Sequence, residues 1–317
     1  MLGSEFVQTF SRRGAGVWEQ ATLDLARQNS LVPWPYVDVT ITDGTDTLVL
    51  GVQSDVVAVG SFEDHVRMPL STPYAQSVAN LTGALLPTPW IEYAIWRSAP
   101  VKLDPVAVVP NQYANLEQYA VHSRIIDEEL AARAVIPGTL VAGIKKGVVI
   151  ANFYKTGKVL LFGWYRYHLV GKDGRLSVEL APDVFDDGKQ IGADNRQPIQ
   201  PKSNVHAEGY VDYSHGIRLV APTCLVNGQR METAAVYTHP TLYKLVNPDV
   251  ANSQPSQRGP IRTPRYPAPV PPAPVRIAGA PFIAPAAVST VPRGRVPYTP
   301  DPTEIALDEI ARRKTQG

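Results

Sequence analysis

The densest set of side chains able to do chemistry lies between Gln200 and Leu219 (QPKSNVHAEGYVDYSHGIRL). Two of the six histidines, His206 and His215, fall there beside Glu208, Asp212, Ser214 and Arg218. Read as an extended segment, Val205–Ser214 places His206, Glu208, Tyr210, Asp212 and Ser214 on one face, because side chains alternate along a strand. His215 then faces the other way unless Gly216 turns the chain. Five polar residues on one face cost too much to bury without partners. They are expected to form a solvated face or the wall of a cleft.

Three chemistries fit these residue types. In one, Ser214 is a nucleophile, His206 or His215 its base, Asp212 the orienting carboxylate and Arg218 the oxyanion stabiliser. No G-x-S-x-G elbow accompanies it. In the second, His206, Asp212 and His215 hold Zn²⁺ with Glu208 as base. His206 and Asp212 are one residue closer than the His-x6-Asp spacing of zinc D-Ala-D-Ala peptidases, and the His-x-His pattern is absent. In the third, Ser214-His215-Gly216 resembles the start of the Ser-His-Gly-Cys-x-Arg motif of L,D-transpeptidases, but Ile217-Arg218 follows where the cysteine belongs. A purely structural reading is also open: Asp212 and Ser214 bonding backbone amides at a loop end, with Arg218 paired to an acid. The metal dependence of the site is left open at this level.

Elsewhere the bland reading is favoured. Asp64-His65 beside Arg67 reads as an exposed turn entering a strand, and Lys145-Lys146 as a solvated strand end. Trp90 and Trp96 read as core. Trp164, Tyr165 and Tyr167 could line a groove but fit packing. Cys224 reads as a small buried hydrophobe. His122 and His168 show no partner in the sequence.

The elements that must position these residues come in blocks. Helical periodicity marks Gly16–Asn29, Thr72–Leu85, Thr88–Ser98 and Asn115–Ala134, two of them opened by a Thr-Pro pair. Period-two runs mark Val37–Thr42, Thr47–Val52, Asp55–Val59, Gly147–Phe153, Lys158–Trp164, Ile217–Val226 and Gln229–Tyr237. Asp43-Gly44 and Asn227-Gly228 are hairpin turns. Phe185–Pro201 reads as a long loop, and Thr241–Leu245 as a short helix or 3₁₀ turn. Segregated helices and strands predict an α+β domain with antiparallel hairpins rather than a doubly wound parallel sheet.

Of 317 residues 30 are proline, and 14 of those fall between Pro255 and Pro302. That stretch cannot be a regular helix or a central strand. From Ala251 onward nine basic residues face four acids, a net +5, which leaves −4 on residues 1–250 within the overall +1. The chain therefore reads as an α+β domain over 7–250, a Pro/Arg-rich arm over 251–302 and an amphipathic helix over 303–317, opened by Asp301-Pro302-Thr303-Glu304. Met1–Phe6 (MLGSEF) contains Gly-Ser and Glu-Phe, dipeptides encoded by restriction sites, and reads as a cloning scar. A native signal peptide could have preceded it, so the compartment (envelope, cytoplasm or virion) stays open. One cysteine excludes a disulfide framework and a four-cysteine zinc site. No run approaches the about 18 apolar residues of a membrane span. The charge density is too modest to predict specific nucleic-acid binding.

Three segments, VGSFEDHVRMPLS (59–71), AQSVANLTGALLPT (75–88) and PIQP with VHAEGYVDYSHGIRL (198–219), together resemble a group of bacterial proteins of no assigned activity. That group shares a Tyr-x-Asp-Tyr-Ser-His-Gly-x-Arg-Leu segment. The resemblance covers about residues 37–250 and implies a bacterial or phage origin and one continuous domain. It carries no residue role. The group has a histidine before the paired lysines, where Ile144 stands here.

Two functions are expected from these features. The first is a hydrolase cutting an amide, ester or glycosidic bond of a polymer, such as a cell-envelope one, through His206, Asp212, Ser214, His215 and Arg218. The second is a structural or assembly protein whose arm docks on neighbouring subunits.

Overall fold

Val39 and Ile41 point inward from one strand, and Leu48, Leu50 and Val52 from the next, all at most 6% exposed. Each such side chain contributes about 1.5–3 kcal/mol by leaving water. This hairpin anchors the core of the computed structural model, which describes residues 1–108, 114–171, 173–181, 185, 198–249 and 255–267. The described helices are α1 (Gly3–Phe10), α2 (Ala15–Arg27), α3 (Thr72–Leu81), α4 (Pro89–Ser98), α5 (Leu116–Ala132) and α6 (Thr233–Thr238). The first strands are β1 (Tyr36–Thr42), β2 (Thr47–Gln53), β3 (Ala58–Gly60), β4 (His65–Arg67) and β5 (Val101–Lys102). There follow β6 (Val141–Ala142), β7 (Lys146–Val148), β8 (Leu161–Gly163), β9 (His168–Val170) and β10 (Leu176–Leu180). The last are β11 (Gln200–Ser203), β12 (His215–Gly216), β13 (Val220–Val226) and β14 (Gln229–Glu232).

The class is α+β. One four-stranded sheet runs β1-β2-β13-β14 and a second β11-β8-β7-β12; β3-β4, β5-β6 and β9-β10 form two-stranded pairs. Pairing is antiparallel except at β5-β6 and β7-β12, which are parallel. The β7-β12 pair sets His215 opposite Lys146 and Gly216 opposite Gly147.

Local signals act as the physics of helix ends requires. The Thr88 hydroxyl accepts from the Ile91 amide at 3.2 Å, with Pro89 opening α4. The Asn115 side chain accepts from the Gln118 amide at 2.9 Å and starts α5. Helix α3 begins one residue after Ser71 and ends at Leu81, short of Leu85, where Gly83 adopts a positive φ of 71°. The strand expected over Gln229–Tyr237 stops at Glu232 and continues as α6, because Val236 and Tyr237 reach the core (0% exposed) from a helical turn.

Larger departures concern the chain ends and the chemical segment. Met1–Phe6, read as a cloning scar, packs onto the body: Phe6 is fully buried, and the Ser4 amide and hydroxyl both bond to Asp64, at 2.9 and 2.6 Å. The body does not end near residue 250 either. Ile261 and Tyr266 are buried, and the Tyr266 amide donates to the Gln76 side chain at 2.9 Å. The Asn152 amide group bonds to the Gly259 and Pro260 carbonyls, at 3.3 and 2.9 Å. The described residues fall within one compact unit, Met1–Val275. The expected arm beyond residue 267, the helix over 303–317 and most of the Phe185–Pro201 loop lie outside the described residues.

Candidate functional site

The extended reading of Val205–Ser214 is overturned, and with it the single polar face. Ala207 makes only an isolated bridge to Lys158, and the chain turns at 208–209 and again at 213–214. The cause is local. Asp212 Oδ1 accepts from the Ser214 amide at 2.8 Å and also from its hydroxyl, an Asx-type turn that competes with strand pairing. The Tyr210 hydroxyl donates to the other Asp212 oxygen at 2.9 Å.

Tyr210 is therefore the hub of the predicted residues. The His206 ring, exposed, stacks on it at 4.0 Å, and the His215 ring lies 5.6 Å away. Asp212, Ser214 and His215 are at most 2% exposed. Burial alone would raise the Asp212 carboxyl, but His215, Lys146 and the two Ser214 bonds hold it below its ordinary value. Burial pushes His215 down to about 3, against the pull of Asp212. Both its ring nitrogens lack a hydrogen-bond partner among the described residues. Glu208 stands apart, its backbone tied to Thr72 and Gly157. Ser214 bonds to Asp212 and not to a histidine, so no Ser-His relay is assembled. Among the described residues no three His, Cys, Asp or Glu side chains gather to hold a metal ion.

Arg218 is separated from this group. Its two terminal nitrogens donate to the Gln53 and Val141 carbonyls, at 2.6 and 2.7 Å. It lines a narrow cleft between α4 and the β7-β12 pair, whose free room of about 20 Å³ is about that of one water. Glu92 and Lys145 share that wall, and Trp96, Trp164 and Tyr165 supply aromatic surface. Burial pushes the Glu92 carboxyl up to about 7, opposed by the Arg218 charge. Gly147 makes room for it, since a Cβ there would stand 2.7 Å from Glu92 Oε1.

Lys145 is not the solvated strand end that the sequence suggests; it is 7% exposed. Its Nζ lies 2.8 Å from His122 Nδ1 and also donates to the Tyr213 carbonyl. Burial holds its pKa well below the ordinary lysine value, with Arg67 adding to the effect. Its neighbour Lys146 sits over the Trp164 ring at 5.4 Å. The turn expected at Asp64-His65 does enter a strand, with both residues half-buried, but Arg67 beside them is internal. Arg67 (1% exposed) bonds Asp55 and Asp127 at 2.7 Å each and ties β4 to α5. His168, without a visible partner in the sequence, meets Asp104 at 2.6 Å.

Glu92 and Lys145 are thus the site residues that pattern reading missed. For Glu92 the signal was present: one acid amid Trp90, Ile91, Tyr93, Ile95 and Trp96 is an acid placed in an apolar wall. No family model matches this chain, and no curated protein or solved structure matches it. No helix among the described residues is long and apolar enough to cross a membrane.

Proposed function

We propose that the chain is a hydrolase for an amide, ester or glycosidic bond of a polymer, working in the Glu92–Lys145–Arg218 cleft. Glu92 is the observation that carries this reading. A carboxyl pushed to about 7 on a cleft wall both gives and takes a proton at neutral pH. The fixed Arg218 charge stabilises the oxyanion that develops as the bond breaks. The aromatic wall orients the substrate. Asp212, Ser214 and His215 act behind the cleft: they hold the β12 strand that presents Gly216 and, through Tyr213, Lys145. His206 lies at the outer edge on Tyr210.

The test is a panel of chromogenic esters, peptides, oligosaccharides and purified peptidoglycan, given to the wild type and to Glu92→Gln. The reading expects turnover of one class by the wild type and a loss of about 100-fold or more in the variant. Equal turnover by both proteins, or none of any substrate by the wild type, contradicts it.

A second reading, an assembly component that docks on neighbouring subunits, is favoured by the β9-β10 hairpin. Leu176, Val178 and Leu180 lie on one face of β10 and are 57, 96 and 56% exposed. Mass measurement of the full chain, of a chain ending at residue 267 and of Val178→Ser separates the two. An oligomer lost in either variant favours assembly, whereas a monomer throughout argues against it.

A further inference from the structure

We propose that β1 pairs with the β1 of a second copy of this chain, antiparallel about a two-fold axis at Val39, so that two four-stranded sheets join edge to edge. The interface needs neither the cleft nor the exposed face of β10.

The edge itself carries the argument. β1 is the outermost strand of the order β1-β2-β13-β14, with β2 on one side only. Its seven residues pair with β2 without a register shift, from Tyr36 opposite Gln53 to Thr42 opposite Thr47. Backbone bonds alternate along an antiparallel pair, and both ends of this one fix the alternation. The Ser54 amide donates to the Pro35 carbonyl, and the Asp43 amide to the Asp46 carbonyl. Odd positions therefore bond to β2, namely Val37, Val39 and Ile41. Tyr36, Asp38, Thr40 and Thr42 turn their N–H and C=O groups away from it. Among the described residues those groups meet no hydrogen-bond partner.

Sheets blunt such an edge with proline, lysine or a bulge, because it templates pairing with another chain. The run YVDVTIT has none of the three. By contrast β10 is protected: its register with β9 shifts, and the Ser177 hydroxyl accepts from the Glu179 amide at 3.0 Å.

The sequence of the edge selects a second copy as the occupant. Its free groups sit on even positions, so two copies exchange bonds only where even meets even. With the axis at Val39, Tyr36 meets the partner's Thr42 and Asp38 meets the partner's Thr40, and every free group is used. Asp38 is the one charged residue of the strand, and a hydroxyl faces it. Tyr36 and the partner's Thr42 make an aromatic and β-branched pair. The neighbouring registers set Asp38 against the partner's Asp38 or carry Tyr36 past the end of the strand. The faces agree as well. Val39 and Ile41, at most 6% exposed, stay on the core side of the joined sheet, and the exposed even side chains stay on the solvent side.

Sedimentation equilibrium of the full chain, from about 1 to about 200 µM, tests the pairing. A concentration-dependent dimer is expected. Thr40→Pro keeps every bond to β2 and removes an outward donor, so it is expected to weaken the dimer by about 100-fold or more. Thr40→Asp sets like charges opposite each other in both symmetric pairs and weakens it by about tenfold. Adding Asp38→Lys makes both pairs opposite in charge and restores it, which a merely destabilised fold would not show. Thr40 is exposed, so Thr40→Asp folds even where the proline does not. A wild type that stays monomeric, or a dimer that survives both Thr40 variants, overturns the proposal. A loss in Thr40→Asp that Asp38→Lys does not restore overturns the register. A dimer lost in Val178→Ser instead moves the contact to β10 and overturns the β1 edge.

Discussion

Ser214 spends both its amide and its hydroxyl on one oxygen of Asp212. The hydroxyl is thereby a structural donor and not a nucleophile awaiting a base. Ser214→Ala removes one buried hydrogen bond and is expected to cost about 1–2 kcal/mol of stability. Turnover of the substrate found in the panel stays within about twofold of wild type. A nucleophilic serine would lose about 1,000-fold or more on the same change, and kcat measurement distinguishes the two.

The packing of Gly147 against Glu92 gives a second prediction. A Cβ at Gly147 would fall 2.7 Å from the end of the Glu92 side chain, which can swing aside at small cost to the fold. Gly147→Ala therefore folds with a melting temperature close to wild type but displaces the carboxylate. Turnover falls by about tenfold or more, as misplaced catalytic groups do. A variant as active as wild type contradicts the position given to Glu92.

Glu19 offers a prediction on stability alone. It is 5% exposed, and burial raises its carboxyl from 4.5 to about 7, against a bond from the Ser71 amide at 2.5 Å. Below pH 4.5 both folded and unfolded chains hold the proton, and there is no penalty. Between 4.5 and 7 the unfolded chain ionises first, so stability drains away as pH rises and then levels off. Glu19→Gln removes this loss, and its stability relative to wild type grows by about 3 kcal/mol from about pH 4.5 to about pH 8. Urea unfolding at the two pH values checks it; a constant difference refutes it.

His215 works in the opposite sense. Its folded pKa of about 3 lies below the ordinary 6.5, so the unfolded chain takes up a proton first as pH falls. The stability that neutral His215 supplies is complete above 6.5 and is lost progressively toward 3. His215→Gln reduces the acid-side slope of unfolding free energy by about 1.4 kcal/mol per pH unit in that window. An unchanged slope would show that His215 already titrates normally in the folded state.

The fold was legible where one local rule dominates. Alternation in Val37, Val39 and Ile41 marked β1, and the Thr88-Pro89 pair marked the start of α4. The 205–214 segment misled because Asp212 bonds its own chain two residues on, which breaks the alternation that the polar face required. The site was half legible. Asp212, Ser214 and His215 do gather, as their clustering suggests, yet only Arg218 of the predicted set reaches the cleft. The burial of Lys145 could not be read, since its partners His122 and Tyr213 come from α5 and from the turn before β12. Polar residues next to an apolar strand look solvated until those distant acceptors are known. Arg67 misled for the same reason: its partners Asp55 and Asp127 lie 12 and 60 residues away.

The central claim is that Glu92 moves the proton in the cleft. The pH dependence of kcat/KM for the wild type and Glu92→Gln, on the substrate class identified by the panel, tests it most directly. The account predicts a wild-type limb centred near pH 7, where the Glu92 carboxyl titrates, and its disappearance in a variant about 100-fold slower. A limb of the same midpoint surviving in Glu92→Gln would contradict it.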